Sequence, residues 1–234
     1  MRHFTLALAM VIAIGVSANA AVISVASDPA DTTIGLNTEG VPGVHWNAAT
    51  TMIIGDDNAQ YGKDDVAAVA VFQLPDLGGE AIDTANLSCR MSWGRYALSG
   101  GVDVYGVRAA SSNAVLVGDY GWGQPLTTGG GTLIQDDFIV HAGETQDLAT
   151  FETDDTADAA LAAWLAGAYS SGAVAGDYVF IRFNGDAQSN NTFGLISGNH
   201  ATEMPPTLTI TTIPEPATLG FLALGALAAF RRRR

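Results

Sequence analysis

Cysteine is almost missing from this chain of 234 residues, and a lone Cys89 excludes any intramolecular disulfide. Stability has to come from a packed core instead. Basic side chains are scarce as well: 10 Lys and Arg stand against 24 Asp and Glu, for a formal charge of −14. Five of the ten bases lie near the chain ends. Between Val22 and Ile213 only Lys63, Arg90, Arg95, Arg108 and Arg182 face 23 acids, a net of −18. Such a surface repels a phosphate backbone, which excludes nucleic acid as a partner and leaves cations or neutral glycans. Charged residues are 15% of the total while 48% are hydrophobic, and 27 are Gly. That balance excludes disorder and suits an all-β domain surfaced by Thr, Ser, Asn and Gly. The length fits one domain with terminal appendages.

Catalytic signatures are also lacking. No nucleophile elbow, P-loop, HExxH or paired-Cys motif occurs. His45, His141 and His200 are scattered through turn-rich segments without metal-ligand spacing, and each is read as solvated or locally hydrogen-bonded. Cys89 falls in the alternating run Leu87, Cys89, Met91, Trp93, on the apolar face of a strand, where a thiol is inert.

What is present begins with the two ends. Arg2 precedes an apolar run from Phe4 to Val16, and Ala18-Asn19-Ala20 places small residues at the positions a signal peptidase reads. Residues 1–20 are read as a signal peptide cleaved after Ala20, with Ala18 and Ala20 as its recognition residues. At the other end, Pro214-Glu215-Pro216 and Ala217-Thr218-Leu219 open an apolar stretch to Phe230, followed by Arg231 to Arg234. The prolines deny helix hydrogen bonds and keep the tripeptide extended. The 14 residues from Ala217 to Phe230 make a helix of about 21 Å, short against a hydrocarbon core of roughly 30 Å. The four arginines stay cytoplasmic by the positive-inside rule. These ordered features over residues 213–234 resemble the PEP-CTERM sorting signal of Gram-negative bacteria. The resemblance implies an exosortase, a membrane cysteine transpeptidase, as the processing partner, with transient or stable insertion in the inner membrane. It also implies association with exopolysaccharide or biofilm.

Residues 21–212 show period-two alternation in short runs broken by Gly, Asp, Asn and Pro. Strands are predicted at Ala21–Ser27, Thr51–Gly55, Val66–Gln73, Ile82–Trp93, Val102–Val107, Thr132–Val140, Asp177–Asn184, Phe193–Ser197 and Thr207–Thr212. At least eight strands suggest an antiparallel β-sandwich of jelly-roll type. One helix is expected from about Thr156 to Ala168, behind the acidic start Asp154-Asp155, packing across one end of the sandwich. Val69–Leu74 with Pro75 and Gly78, the strand Ile82–Met91, Val102–Val107, Tyr120-Gly121-Trp122-Gly123-Gln124-Pro125, the helix around Leu161–Trp164 and Pro205–Ile210 together resemble a DNRLRE-type domain. That likeness implies a jelly-roll module of secreted bacterial proteins, related in shape to carbohydrate-binding modules.

Two groups of residues are candidates for ligand contact. Asp56, Asp57, Asn58, Asp64 and Asp65 gather carboxylates and an amide between Gly55 and Asp65, and Ca²⁺ takes six to eight such oxygens. The same residue types are ordinary in turns, and a solvated turn whose acids repel one another is the plainer reading. Trp46, Tyr120 and Trp122, in Gly-rich or Asn-bearing segments, are the candidates for stacking against a sugar, with a buried loop anchor as the plainer reading of each. Trp93 and Trp164 are read as core. The chain is therefore expected to be an exported, non-catalytic envelope or matrix protein engaged in adhesion or exopolysaccharide association. A secreted polysaccharide-active enzyme and a permanently anchored structural protein remain as alternatives. A cleft with two convergent carboxylates would favour the enzyme.

Overall fold

The computed structural model describes residues 20–37, 41–45, 50–57, 63–95, 101–120, 131–140, 148–185 and 192–213. Among these residues it contains twelve strands, all paired antiparallel, and one α-helix. The strands are β1 Val22–Ala26, β2 Thr32–Asn37, β3 Pro42–His45, β4 Thr51–Asp57, β5 Lys63–Gln73, β6 Ala81–Arg95 and β7 Gly101–Ala110. They continue with β8 Thr132–Val140, β9 Thr150–Glu152, β10 Tyr178–Gly185, β11 Thr192–Ile196 and β12 Thr207–Ile213; α1 spans Asp155–Ser170. The main path of pairing is β1-β12-β6-β11-β4-β5-β10-β7-β8, with β2 joining β3 to β5 and β9 lying against β6.

The nine predicted strands are all present, most of them longer than the alternation suggested. β2, β3 and β9 were not expected from the sequence. The acidic segment Gly55–Asp65 is not a single loop: Asp56 and Asp57 end β4, and Asp64 and Asp65 open β5, with Asp57 opposite Lys63. Gly55 takes φ 108° at a register shift in this pair, a conformation glycine adopts without a Cβ penalty.

Sequence pattern decides which faces are buried. β12 reads Thr-Leu-Thr-Ile-Thr-Thr, and its Leu208, Ile210 and Thr212 are buried while Thr207, Thr209 and Thr211 are partly exposed. β5, by contrast, is apolar without interruption from Val66 to Phe72 and is buried on both faces. Ala68, Ala70 and Phe72 join the main core with Val179, Ile181 and Phe183 of β10. Ala67, Val69 and Val71 join Ile34 and Phe180 in a second cluster, which Val44 and Val115 flank. Each fully buried Phe, Ile or Leu contributes about 1.5–3 kcal/mol from water exclusion.

The helix begins where the sequence places an N-cap. Asp154 Oδ1 accepts the N–H groups of Thr156 and Ala157, both at 2.9 Å, and Asp155 and Asp158 sit in the first turn, where the helix dipole favours anions. Ala157, Leu161, Ala162 and Leu165 form its buried stripe. The helix lies across β6 and also reaches β7 and β8 from the far part of the strand path, so it helps close the curl of the sheet. Phe138 of β8 reinforces the closure, with ring centroids 6.4 Å from Phe151 of β9 and 5.9 Å from Phe183. Among the described residues no helix is long and apolar enough to cross a membrane.

Candidate functional site

A cleft of about 850 Å³ opens between α1 and the β7–β8 edge. Arg108 and Ala110 of β7 and Thr132 of β8 form one wall, and Ala160, Ala163, Trp164 and Gly167 of α1 the other. Ser171, Ala173 and Asp177 close it beyond the helix C-terminus. Small residues on α1 create the space. Trp164 is half-buried against the core, and its indole fits because Gly106 beneath it has no side chain: a Cβ there would lie 2.3 Å from Cε2.

The charges of the cleft are largely satisfied. Arg108 pairs with Asp119 through Nε–Oδ1 at 2.5 Å and Nη2–Oδ2 at 2.8 Å, and Nη2 also donates to the Ala114 carbonyl at 2.9 Å. Asp177 Oδ2 accepts the Val174 N–H at 3.0 Å and is the single carboxylate among the lining residues. The surface offered is thus an indole, small apolar groups, the hydroxyls of Thr132 and Ser171, and one carboxylate. That mixture suits a neutral polyhydroxylated ligand.

Behind the cleft lies a buried polar group. Arg182 is 0% exposed; Nε donates to Asn184 Oδ1 at 2.8 Å and Nη1 to the Asp119 carbonyl at 2.9 Å, with the Tyr105 ring 5.3 Å from its guanidinium carbon. Tyr105 donates to Asp103 Oδ2 at 3.1 Å, and burial, then the Asp103 charge, push its phenol up to about 12. Sequence reasoning missed this network, although a single charge inside the apolar run of β10, Tyr-Val-Phe-Ile-Arg-Phe, was a visible signal. A second buried acid, Asp31, is 1% exposed and receives Ser27 Oγ at 2.5 Å, the Val71 N–H at 2.7 Å and the Gly198 N–H at 3.0 Å. Desolvation outweighs these donors and lifts its carboxyl to about 7. Cys89 is buried, and desolvation raises its thiol far above the ordinary value, as an inert core position requires.

Only some of the candidates from sequence fall within the described residues. Trp46, Trp122 and Asn58 lie outside the described residues, as do Ala18 and Pro214, Glu215 and Pro216. Tyr120 ends a 3-10 turn over Val117–Tyr120, next to Asp119. Asp56, Asp57, Asp64 and Asp65 are strand residues of adjacent β4 and β5. Among the described residues no three His, Cys, Asp or Glu side chains are grouped to hold a metal ion. His200 is locally hydrogen-bonded, its Nδ1 accepting the Glu203 N–H at 3.0 Å. Trp164, read as core, is also a wall of the cleft.

The remaining signal lies at the C-terminal end. Residues 212–234 match the PEP-CTERM protein-sorting motif, which marks a protein exported to the cell envelope or surface and sorted by an exosortase. No curated protein matches the chain in sequence.

Proposed function

We propose that this protein is a non-catalytic component of the cell envelope or extracellular matrix, whose curled β domain is carried to the surface by exosortase sorting and there contacts neutral polysaccharide. The observation that carries this reading is the junction at Thr212–Ile213, where the sorting motif begins as β12 ends. The folded domain is therefore the cargo and the motif its address. Adhesion or exopolysaccharide association is the finer role, and a jelly-roll relationship to DNRLRE-type modules is the finer fold reading. Binding is the reading the cleft supports: among the described residues its lining carries one carboxylate, Asp177, where a glycosidase uses two about 5–10 Å apart. Calcium at Asp56, Asp57, Asn58, Asp64 and Asp65 is a secondary proposal, tested by whether millimolar Ca²⁺ raises the melting temperature of wild type but not of Asp56→Ala/Asp57→Ala.

The deciding experiment compares wild type with Glu215→Ala in a host that has an exosortase, by intact mass and fractionation. Wild type should lose its tail and leave the inner membrane, while the variant keeps both. Retention of the tail by both proteins would make the segment a permanent anchor and remove the link to matrix sorting.

A further inference from the structure

The first and last described strands, which border the two stretches read as processing signals, lie side by side. β1 and β12 pair antiparallel from Val22 opposite Thr211 to Ala26 opposite Thr207. One residue further, the Thr212 N–H donates to the Ala21 carbonyl at 2.9 Å and the Ala21 N–H donates to Thr212 Oγ1 at 3.1 Å. Thr212 is 1% exposed, and its hydroxyl donates in turn to Glu80 Oε2. Glu80 is held in place by a tight turn: its N–H donates to the Leu77 carbonyl at 3.0 Å, and Gly78 and Gly79 take φ of 62° and 87°. Ile213 follows at the surface, and the sorting motif covers residues 212–234.

We propose that the amine released at Ala21 by signal-peptide hydrolysis docks onto the Thr212–Glu80 pair and completes the root of the sorting tail. Peptide-bond hydrolysis at the N-terminus then supplies the form of the chain that C-terminal processing consumes. The inference rests on the reading that cleavage falls after Ala20. Hydrolysis adds one water across the Ala20–Ala21 amide, leaving a carboxylate on Ala20 and an ammonium on Ala21. Before cleavage position 21 has one N–H, which Thr212 Oγ1 accepts. After cleavage it has three donors and a positive charge, one hydroxyl away from the Glu80 carboxylate. A neutral contact becomes a charge-assisted one, at the point where β12 hands over to the tail. The carboxylate also holds the amine in its protonated form. β1 is an edge strand with three of its five residues exposed, so a terminal charge pair has a weakly held element to act on.

The test uses the full chain in a host with signal peptidase and exosortase. Intact mass first fixes the mature N-terminus; a start other than Ala21 overturns both the cleavage reading and this inference. With Ala21 first, acylation of the α-amine at pH 7 is followed by mass spectrometry, which resolves it from Lys63, the chain's single lysine. Glu80→Gln should acylate about threefold faster than wild type, the size expected of a partly exposed ion pair, and Glu80→Asp should restore the slow rate. The fraction of chains retaining the tail should rise in Glu80→Gln alone. Equal acylation rates in the three proteins, or tail removal indifferent to Glu80, would overturn the inference and leave the cleavage site intact.

Discussion

The guanidinium of Arg108 meets the carboxylate of Asp119 edge to edge while its flat face lies 3.7 Å above the Phe180 ring. Asp119 is almost fully buried; its Oδ2 also accepts the Leu116 N–H at 2.7 Å, and its carbonyl receives Arg182. One aspartate therefore ties two arginines to the 3-10 turn and sets the wall of the cleft.

Removing that aspartate leaves Arg108 stacked but uncompensated. Asp119→Ala should cost about 2–4 kcal/mol in urea unfolding, since one partner of a mostly buried pair is lost. Arg108→Lys should cost less, keeping the charge but not the paired contacts. A loss under about 0.5 kcal/mol for Asp119→Ala would place the pair with solvent-screened surface bridges.

Asp31 gives the stability a pH dependence of definite sign. Its folded carboxyl titrates near 7 and its unfolded one near 3.8, so between these values the native state holds the proton more tightly. Stability should fall as pH rises from about 4 to 7, by up to about 1.4 kcal/mol per unit from this group, and level off above. Asp31→Asn should flatten the slope. Chemical denaturation at pH 5 and pH 7 reads the difference, and an unchanged slope in the variant would assign the pH dependence elsewhere.

The same knot makes position 198 intolerant of a side chain. A Cβ on Gly198 would lie 2.7 Å from the Ser27 carbonyl and 2.8 Å from that of Asp28. Both are backbone atoms that cannot swing aside, so Gly198→Ala should destabilise by about 1–3 kcal/mol. Gly167→Ala is the control: nothing lies within 4 Å of its Cβ, and helix propensity favours alanine there.

At the cleft, Gly106→Ala should displace the indole of Trp164 and change its fluorescence. If the cleft binds polysaccharide, this variant and Trp164→Ala should both lose retention on an extracellular polysaccharide matrix by tenfold or more, as expected when an aromatic contact and its shape are removed. Unchanged retention in both would move the contact surface away from α1.

Much of the scaffold was legible locally. Strands such as Thr132–Val140 and Thr207–Ile213 announce themselves through alternation, and α1 through Asp154 and the spacing of Ala157, Leu161 and Leu165. β2, β3 and β9 were not, because Thr-Thr-Ile-Gly-Leu-Asn and Pro-Gly-Val-His alternate too weakly and three residues of β9 are too few. β2 and β9 are strands because a partner edge was available on β5 and β6, and β3 because β2 then offered its own. The cleft escaped notice for a similar reason: it is made by small residues of α1 facing a β7 wall, a relation between distant segments.

The acidic character, the β-rich class, the capped helix α1 and the sorting motif follow from the sequence alone, since composition, two-residue alternation and short contiguous signals are local properties. The burial of Arg182, the raised carboxyl of Asp31 and the meeting of Ala21 with Thr212 come from the fold. Asp31 meets donors 40 and 167 residues away, and Ala21 meets Thr212 across 191. Desolvation and charge pairing depend on what the folded chain brings within a few ångströms, and no stretch of neighbouring residues carries that information.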